Sequence, residues 1–146
     1  MTLEAVLNSE RGLIVAPAGC GKTHLITEVL NIETVKPYLV LTHTTAGVAA
    51  LKQRLKRLRV PSNNFVVSTI DGWALRVAKM FPNSCVIQST PKNSRVFYPE
   101  LRRKVNEYIS AGNIVEIIRS SYSRLLVDEY QDCYVDQHKL ICSLSE

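Results

Sequence analysis

The chain has 146 residues, 46% apolar and 21% charged, ordinary values for one globular domain with a core. Its net charge of +5 favours an anionic partner, nucleic acid above all, against the plainer reading of a basic surface that serves solubility. No apolar run reaches the roughly 20 residues that span a bilayer, and no basic-then-apolar leader opens the sequence, which sets the expectation of a cytoplasmic protein without a membrane partner. Cys20, Cys85, Cys133 and Cys142 lack Cys-x-x-Cys spacing, and His24, His43 and His138 lack metal-like pairing. Reduced thiols are therefore expected, rather than a zinc site or a disulfide framework.

In chain order, residues 2–8 read as a short helix and residues 8–12 as a turn. Leu13-Ile14-Val15 reads as a first strand. Ala16-Pro17-Ala18-Gly19-Cys20-Gly21-Lys22-Thr23 follows, and the apolar pattern to about Leu30 reads as a helix. Strand, small-residue loop, Lys-Thr and helix together have the pattern of a phosphate-binding loop. Gly19 and Gly21 let successive N–H groups turn toward one phosphate chain, and the helix N-terminus adds partial positive charge there. Lys22 supplies a full charge to the β/γ-phosphates, and Thr23 offers a hydroxyl to magnesium.

Residues 38–41 form a second buried strand, ending in Thr42-His43-Thr44-Thr45. The next helix runs to about Arg59, with Val48, Leu51, Leu55 and Leu58 on one face. Its other faces carry Lys52, Arg54, Lys56, Arg57 and Arg59, which suit either phosphates or a solvated surface. Residues 65–68 give a third strand, which runs through Thr69-Ile70-Asp71-Gly72-Trp73 into a helix ending near Met80. Residues 81–120 read as a small, partly helical insertion. It has an extended piece at 85–87, helical spacing over 95–118, and a break near Ala111-Gly112-Asn113. Residues 125–127 are a fourth strand, closed by Asp128-Glu129-Tyr130-Gln131-Asp132, and a final helix covers about 134–143.

Short apolar strands alternating with helices give an α/β fold with a parallel sheet. Ligands gather beyond the carboxyl ends of such strands, and all the distinctive stretches lie there. Paired carboxylates after a strand are either a helix N-cap with a first-turn acid or a catalytic pair. With a phosphate loop upstream, the catalytic reading is taken. Asp128 would hold magnesium beside Thr23, and Glu129 would orient a water in line with the γ-phosphate and accept its proton.

Residues 16–23 resemble motif I of the UvrD/Rep-like superfamily 1 DNA helicases. Residues 41–52 are similar to motif Ia, residues 67–76 to motif Ib, and Val-Asp-Glu-Tyr-Gln-Asp at 127–132 to motif II. The resemblance covers about 1–80 and 121–146 and implies the N-terminal RecA-like part of a P-loop NTPase. ATP and Mg2+ would be its cofactors and single-stranded DNA its partner. By the resemblance, Ala16 through Thr23 hold the nucleotide, Thr23 and Asp128 the metal, and Lys22, Glu129 and Gln131 serve catalysis and coupling. Thr42, Thr44, Thr45, Thr69, Asp71 and Trp73 would lie near the nucleic acid, hydroxyls suiting phosphates and an indole suiting a base. For Trp73, core packing is the alternative that its size favours. No glutamine precedes motif I where the family commonly has one, and Asp71 stands where it often has histidine.

The resemblance also implies a second RecA-like domain, in a longer chain or a partner. Residues 1–146 alone are expected not to work as a motor. In RecA-like domains the strand after motif II lies between those of motifs I and II. Nothing after 134–143 remains to form it, so residues 13–15 and 125–127 are expected to stand apart. The rival readings are a non-motor nucleotide-binding module, including a degenerate helicase fragment acting through a partner, and a small kinase. The Asp-Glu-Tyr-Gln-Asp run argues against the kinase.

Overall fold

The computed structural model describes residues 2–112 and 114–146, so Asn113, part of the expected helix break, lies outside the described residues. A parallel sheet of three strands forms the centre: β1 (Tyr38–Thr42), β2 (Phe65–Thr69) and β3 (Leu125–Val127), in the order β2-β1-β3. Tyr38 pairs with Phe65 and Leu39 with Leu125. All of β1 is buried, as a central strand covered on both faces must be.

Alternation along β1 divides the interior. Leu39 and Leu41 face one core, built with α4 (Ile70–Met80), α5 (Ser94–Ser110) and α7 (Val135–Ser145). Tyr38 and Val40 face the other, built with α2 (Lys22–Leu30) and α3 (Thr45–Arg57). α1 (Leu3–Asn8) leans on the second core through Leu3, Val6 and Leu7. Arg124, next to β3, donates to the carbonyls of Val6, Leu7 and Ser9 and so satisfies the end of that short helix.

Two expectations are corrected. Residues 13–15 form no strand; Leu13 and Val15 are 69% and 85% exposed. A strand needs a ladder partner, and among the described residues β3 is bonded to β1 alone, with no strand bridging it to residues 13–15. Residues 85–87, expected as a short extended piece, lie outside helix and strand. They belong to a loop held by Glu100, whose carboxylate accepts from the Gln88 and Ser89 amides at 2.6 and 3.2 Å and from Ser89 Oγ at 2.6 Å. Leu58, placed on the buried face of its helix, is the C-cap of α3 and more than half exposed, because the helix stops at Arg57.

The segment read as an insertion holds α5 and α6 (Val115–Ser121). Phe97, Leu101, Val105, Ile109 and Ile114 lie in the first core, against Trp73, Val77 and Leu140. This stretch therefore supplies much of the layer that covers one face of the sheet.

Candidate nucleotide site and nucleic-acid face

Parallel register brings three of the distinctive stretches, those after β1, β2 and β3, to one edge of the molecule; residues 16–23 follow no strand. Thr42 ends β1 opposite Thr69 at the end of β2, and Leu41 lies beside Val127. The Asp128 amide continues the ladder, donating to Leu41 O at 2.9 Å. The carboxylates after β3 and the hydroxyls after β1 and β2 thus stand at one level of the sheet.

The loop before α2 is built by its glycines. Gly19 and Gly21 have φ of +80° and +83°, in the left-handed region that side chains disfavour. Gly21 is the N-cap of α2, so Lys22 and Thr23 open the helix. Lys22 Nζ donates to Ala16 O at 2.7 Å, folding the cation back across the loop. A polyphosphate offered to the same loop presents that ammonium with a stronger, charged acceptor.

Across from the loop, Asp128 Oδ1 accepts from the Glu129 amide at 3.0 Å, and Gln131 Nε2 donates to Glu129 Oε2. Glu129 has φ of +55°, an uncommon conformation for a residue with a side chain. Strain of this kind costs on the order of 1–3 kcal/mol and clusters at functional sites. Burial pushes the Asp128 carboxyl above its ordinary pKa, the neighbouring Glu129 charge adds to this, and Lys22 opposes it. A cation here would relieve both causes of the rise. Thr23, Thr42, Asp128 and Glu129 line one cavity of about 670 Å3, within the range of small-ligand sites. One hydroxyl and one carboxylate fit magnesium, which takes few protein ligands beside substrate phosphates.

The candidate nucleic-acid residues separate. Thr44 and Thr69 are helix N-caps, their Oγ1 atoms accepting from Gly47 and Gly72 amides at 3.0 and 2.9 Å. Each hydroxyl keeps its own proton for a phosphate oxygen. Thr45 opens α3, and Thr42 is buried in the cavity wall. Trp73 is only 2% exposed within the first core, so the core alternative holds and its ring offers no face to a base. Asp71 is also corrected. Arg102 grips its carboxylate with two bonds, Nε to Oδ1 at 2.7 Å and Nη2 to Oδ2 at 2.6 Å, and Gln137 Nε2 adds a third at 3.2 Å. That acid is neutralised from within the fold and does not face nucleic acid as a free charge.

Sequence reasoning missed this cluster. Arg102 also bonds Asp136, at 3.1 and 3.3 Å, and lies 5.1 Å from the centre of the Tyr134 ring. Tyr134 in turn meets His43 edge-on, ring centres 5.3 Å apart, and the buried His43 Nδ1 has no hydrogen-bond partner among the described residues. The cluster ties α5 to the first turn of α4 and the first turn of α7. A signal was present: Arg102 shares the apolar arc of Leu101, Val105 and Ile109, and Gln137 that of Leu140 and Ile141. A long polar side chain on a buried arc calls for a buried partner.

The cap of α4 gives a direct test. A Cβ at Gly72 would meet Thr69 Oγ1 at 2.7 Å. Gly72→Ala should displace the capping hydroxyl and lower stability by about 1–2 kcal/mol, read from urea unfolding. An unchanged midpoint would remove this role for Thr69.

Part of the chain is 33% identical over 95 residues to one subunit of an ATP-dependent helicase/nuclease of Leuconostoc mesenteroides subsp. mesenteroides, a match covering 47% of this chain. The chain spans 8% of the length of that curated relative. No protein-family model matches the chain, and no solved structure matches it. The similarity supports a relationship to helicases, and the three-stranded parallel sheet flanked by helices is compatible with a RecA-like core. Among the described residues, no helix is long and apolar enough to cross a membrane.

Proposed function

We propose that the chain is the N-terminal ATP-binding part of a UvrD-like DNA helicase, which couples ATP hydrolysis to movement on single-stranded DNA and to duplex unwinding. The observation that carries this reading is the meeting of Thr23, Thr42, Asp128 and Glu129 around one cavity at the carboxyl end of the sheet. The partial similarity to a helicase/nuclease supports the choice among nucleotide-binding functions. Apart from Cys20, whose amide donates to Pro17 O at 3.3 Å, the Gly19–Thr23 amides would face the phosphates, and Lys22, now on Ala16 O, would pair with the β/γ-oxygens. Thr23 and Asp128 would hold magnesium, which would neutralise phosphate charge. Glu129, on its strained backbone, aligns the attacking water and accepts its proton. Gln131, bonded to Glu129, reports the state of that carboxylate to the rest of the motor. A second RecA-like domain, in the same longer chain or a partner, supplies the arginines for the transferring phosphoryl group.

Glu129→Gln tests the assignment. Calorimetry should show Mg·ATP affinity within about threefold of the unsubstituted chain, since the amide keeps the shape. Hydrolysis with the second domain present should fall at least about a hundredfold, the size of a lost general base. Full hydrolysis by the variant would remove Glu129 from the mechanism.

A further inference from the structure

α4 has a second face that the nucleotide site does not use. Ile70, Trp73, Ala74, Val77 and Ala78 fill the core. On the outside, Gly72, Leu75, Arg76, Lys79 and Met80 line a shallow groove of about 410 Å3. Gly72, Leu75 or Arg76, and Lys79 or Met80 recur at helical spacing, so one stripe carries two cations beside two apolar side chains. Arg76 and Lys79 are exposed, and among the described residues neither is in an ion pair.

The surrounding charge is one-sided. Between Asp71 and Glu100 the sequence has no acidic residue. Asp71 is held by Arg102, and Glu100 is spent on the loop at Gln88 and Ser89. The Arg102 pair therefore removes the one carboxylate at the head of this stripe. At that same head lies the Thr69 cap, at the sheet end where the other candidate hydroxyls stand.

We propose that this outer groove of α4 binds the backbone of single-stranded nucleic acid, with Arg76 and Lys79 on phosphates and Leu75 and Met80 beneath the sugars and bases. The groove leads the strand away from the sheet end along the helix. The proposal rests on the nucleic-acid part of the reading above; Arg76 closes the stretch 67–76 of that reading, and the proposal carries it on along α4 to Lys79 and Met80, with the contact on the outer face of the helix. Mixed cationic and apolar lining suits a sequence-tolerant strand.

The test compares the 146-residue chain with Arg76→Glu/Lys79→Glu, using fluorescence anisotropy of a labelled oligothymidylate over a series of salt concentrations. Affinity should fall by about tenfold or more. The slope of log affinity against log salt should shrink by about 1.4, two contacts at about 0.7 each. Lys52→Glu/Lys56→Glu on α3 changes the net charge equally and should cost clearly less. Should the acidic pair disturb folding, seen as a lowered melting temperature, Arg76→Gln/Lys79→Gln gives the same comparison with neutral groups. An unchanged slope in the α4 variant, or an equal loss in the α3 variant, would overturn the groove while leaving nucleic-acid binding intact. No binding by the unsubstituted chain would overturn both.

Discussion

Lys22→Ala should lower Mg·ATP affinity at least a hundredfold, to the point where calorimetry of this chain registers no heat of binding. Hydrogen bonds to charged groups contribute about 1.5–3 kcal/mol each, and the ammonium has donors for more than one phosphate oxygen. Two such contacts at about 1.4 kcal/mol per tenfold exceed a factor of one hundred. The loop has no second cation in reach by sequence: from Ala16 to Thr23 Lys22 stands alone. Its present bond to Ala16 O is one neutral carbonyl contact, so the substitution costs the folded chain little. A further consequence concerns Asp128. Lys22 is the attraction that counters burial and the Glu129 charge there, so its removal should raise the Asp128 pKa further. Unaltered Mg·ATP binding by the variant would show that the loop does not hold phosphate, and the whole functional reading would fall with it.

Arg102→Met should destabilise the chain by about 3 kcal/mol. Removing one member of a buried ion pair costs about 3–5 kcal/mol, because the partner charge is left without its counter-ion. The lower end applies because the Asp71 and Asp136 side chains are 24% and 35% exposed and recover some water. The two carboxylates, through their hydrogen bonds, hold the guanidinium protonated well beyond its ordinary range, so its charge is fixed at any working pH. Arg102→Lys should not rescue, since one ammonium cannot reproduce the fork that meets Asp71 at 2.6 and 2.7 Å while also reaching Asp136. The triple variant Arg102→Met/Asp71→Asn/Asp136→Asn should recover most of the loss, because it removes the stranded charges as well. Urea unfolding measures all three. A single variant within about 1 kcal/mol of the unsubstituted chain would mean that the cluster is an ornament of the surface and does not brace α4, α5 and α7.

How much could be read in advance depended on the range of the interactions involved. The helix starting at Lys22 was legible because Gly-x-Gly-Lys-Thr fixes backbone conformation within a few residues, and Gly19 and Gly21 have the positive φ that only glycine takes readily. β1, β2 and β3 were legible as short apolar runs, and their parallel register carried Thr42, Thr69 and Asp128 to one level. The same local signals placed both ends of α7 within two residues and the end of α4 at Met80, but α4 begins at Ile70, inside the stretch read as continuing the strand.

Residues 13–15 show the limit. As an apolar triplet before a glycine loop they have the pattern of a strand, yet a strand exists only through a neighbour, and β3 does not reach them. Asp71 shows it again. Near a candidate nucleic-acid end its charge reads as a repulsion, but Arg102, 31 positions along the chain, cancels it. Trp73 was open between base and core until α5 and α7 closed over it. The sequence by itself determined the α/β order, the helix and turn chemistry of the loop, and the placing of acids after β3, because those rest on propensity and periodicity over a few residues. Tertiary structure alone decided which apolar run joins the sheet, which carboxylate stays free and which aromatic faces inward, because strand pairing and charge partnering join atoms that the chain separates by tens of residues.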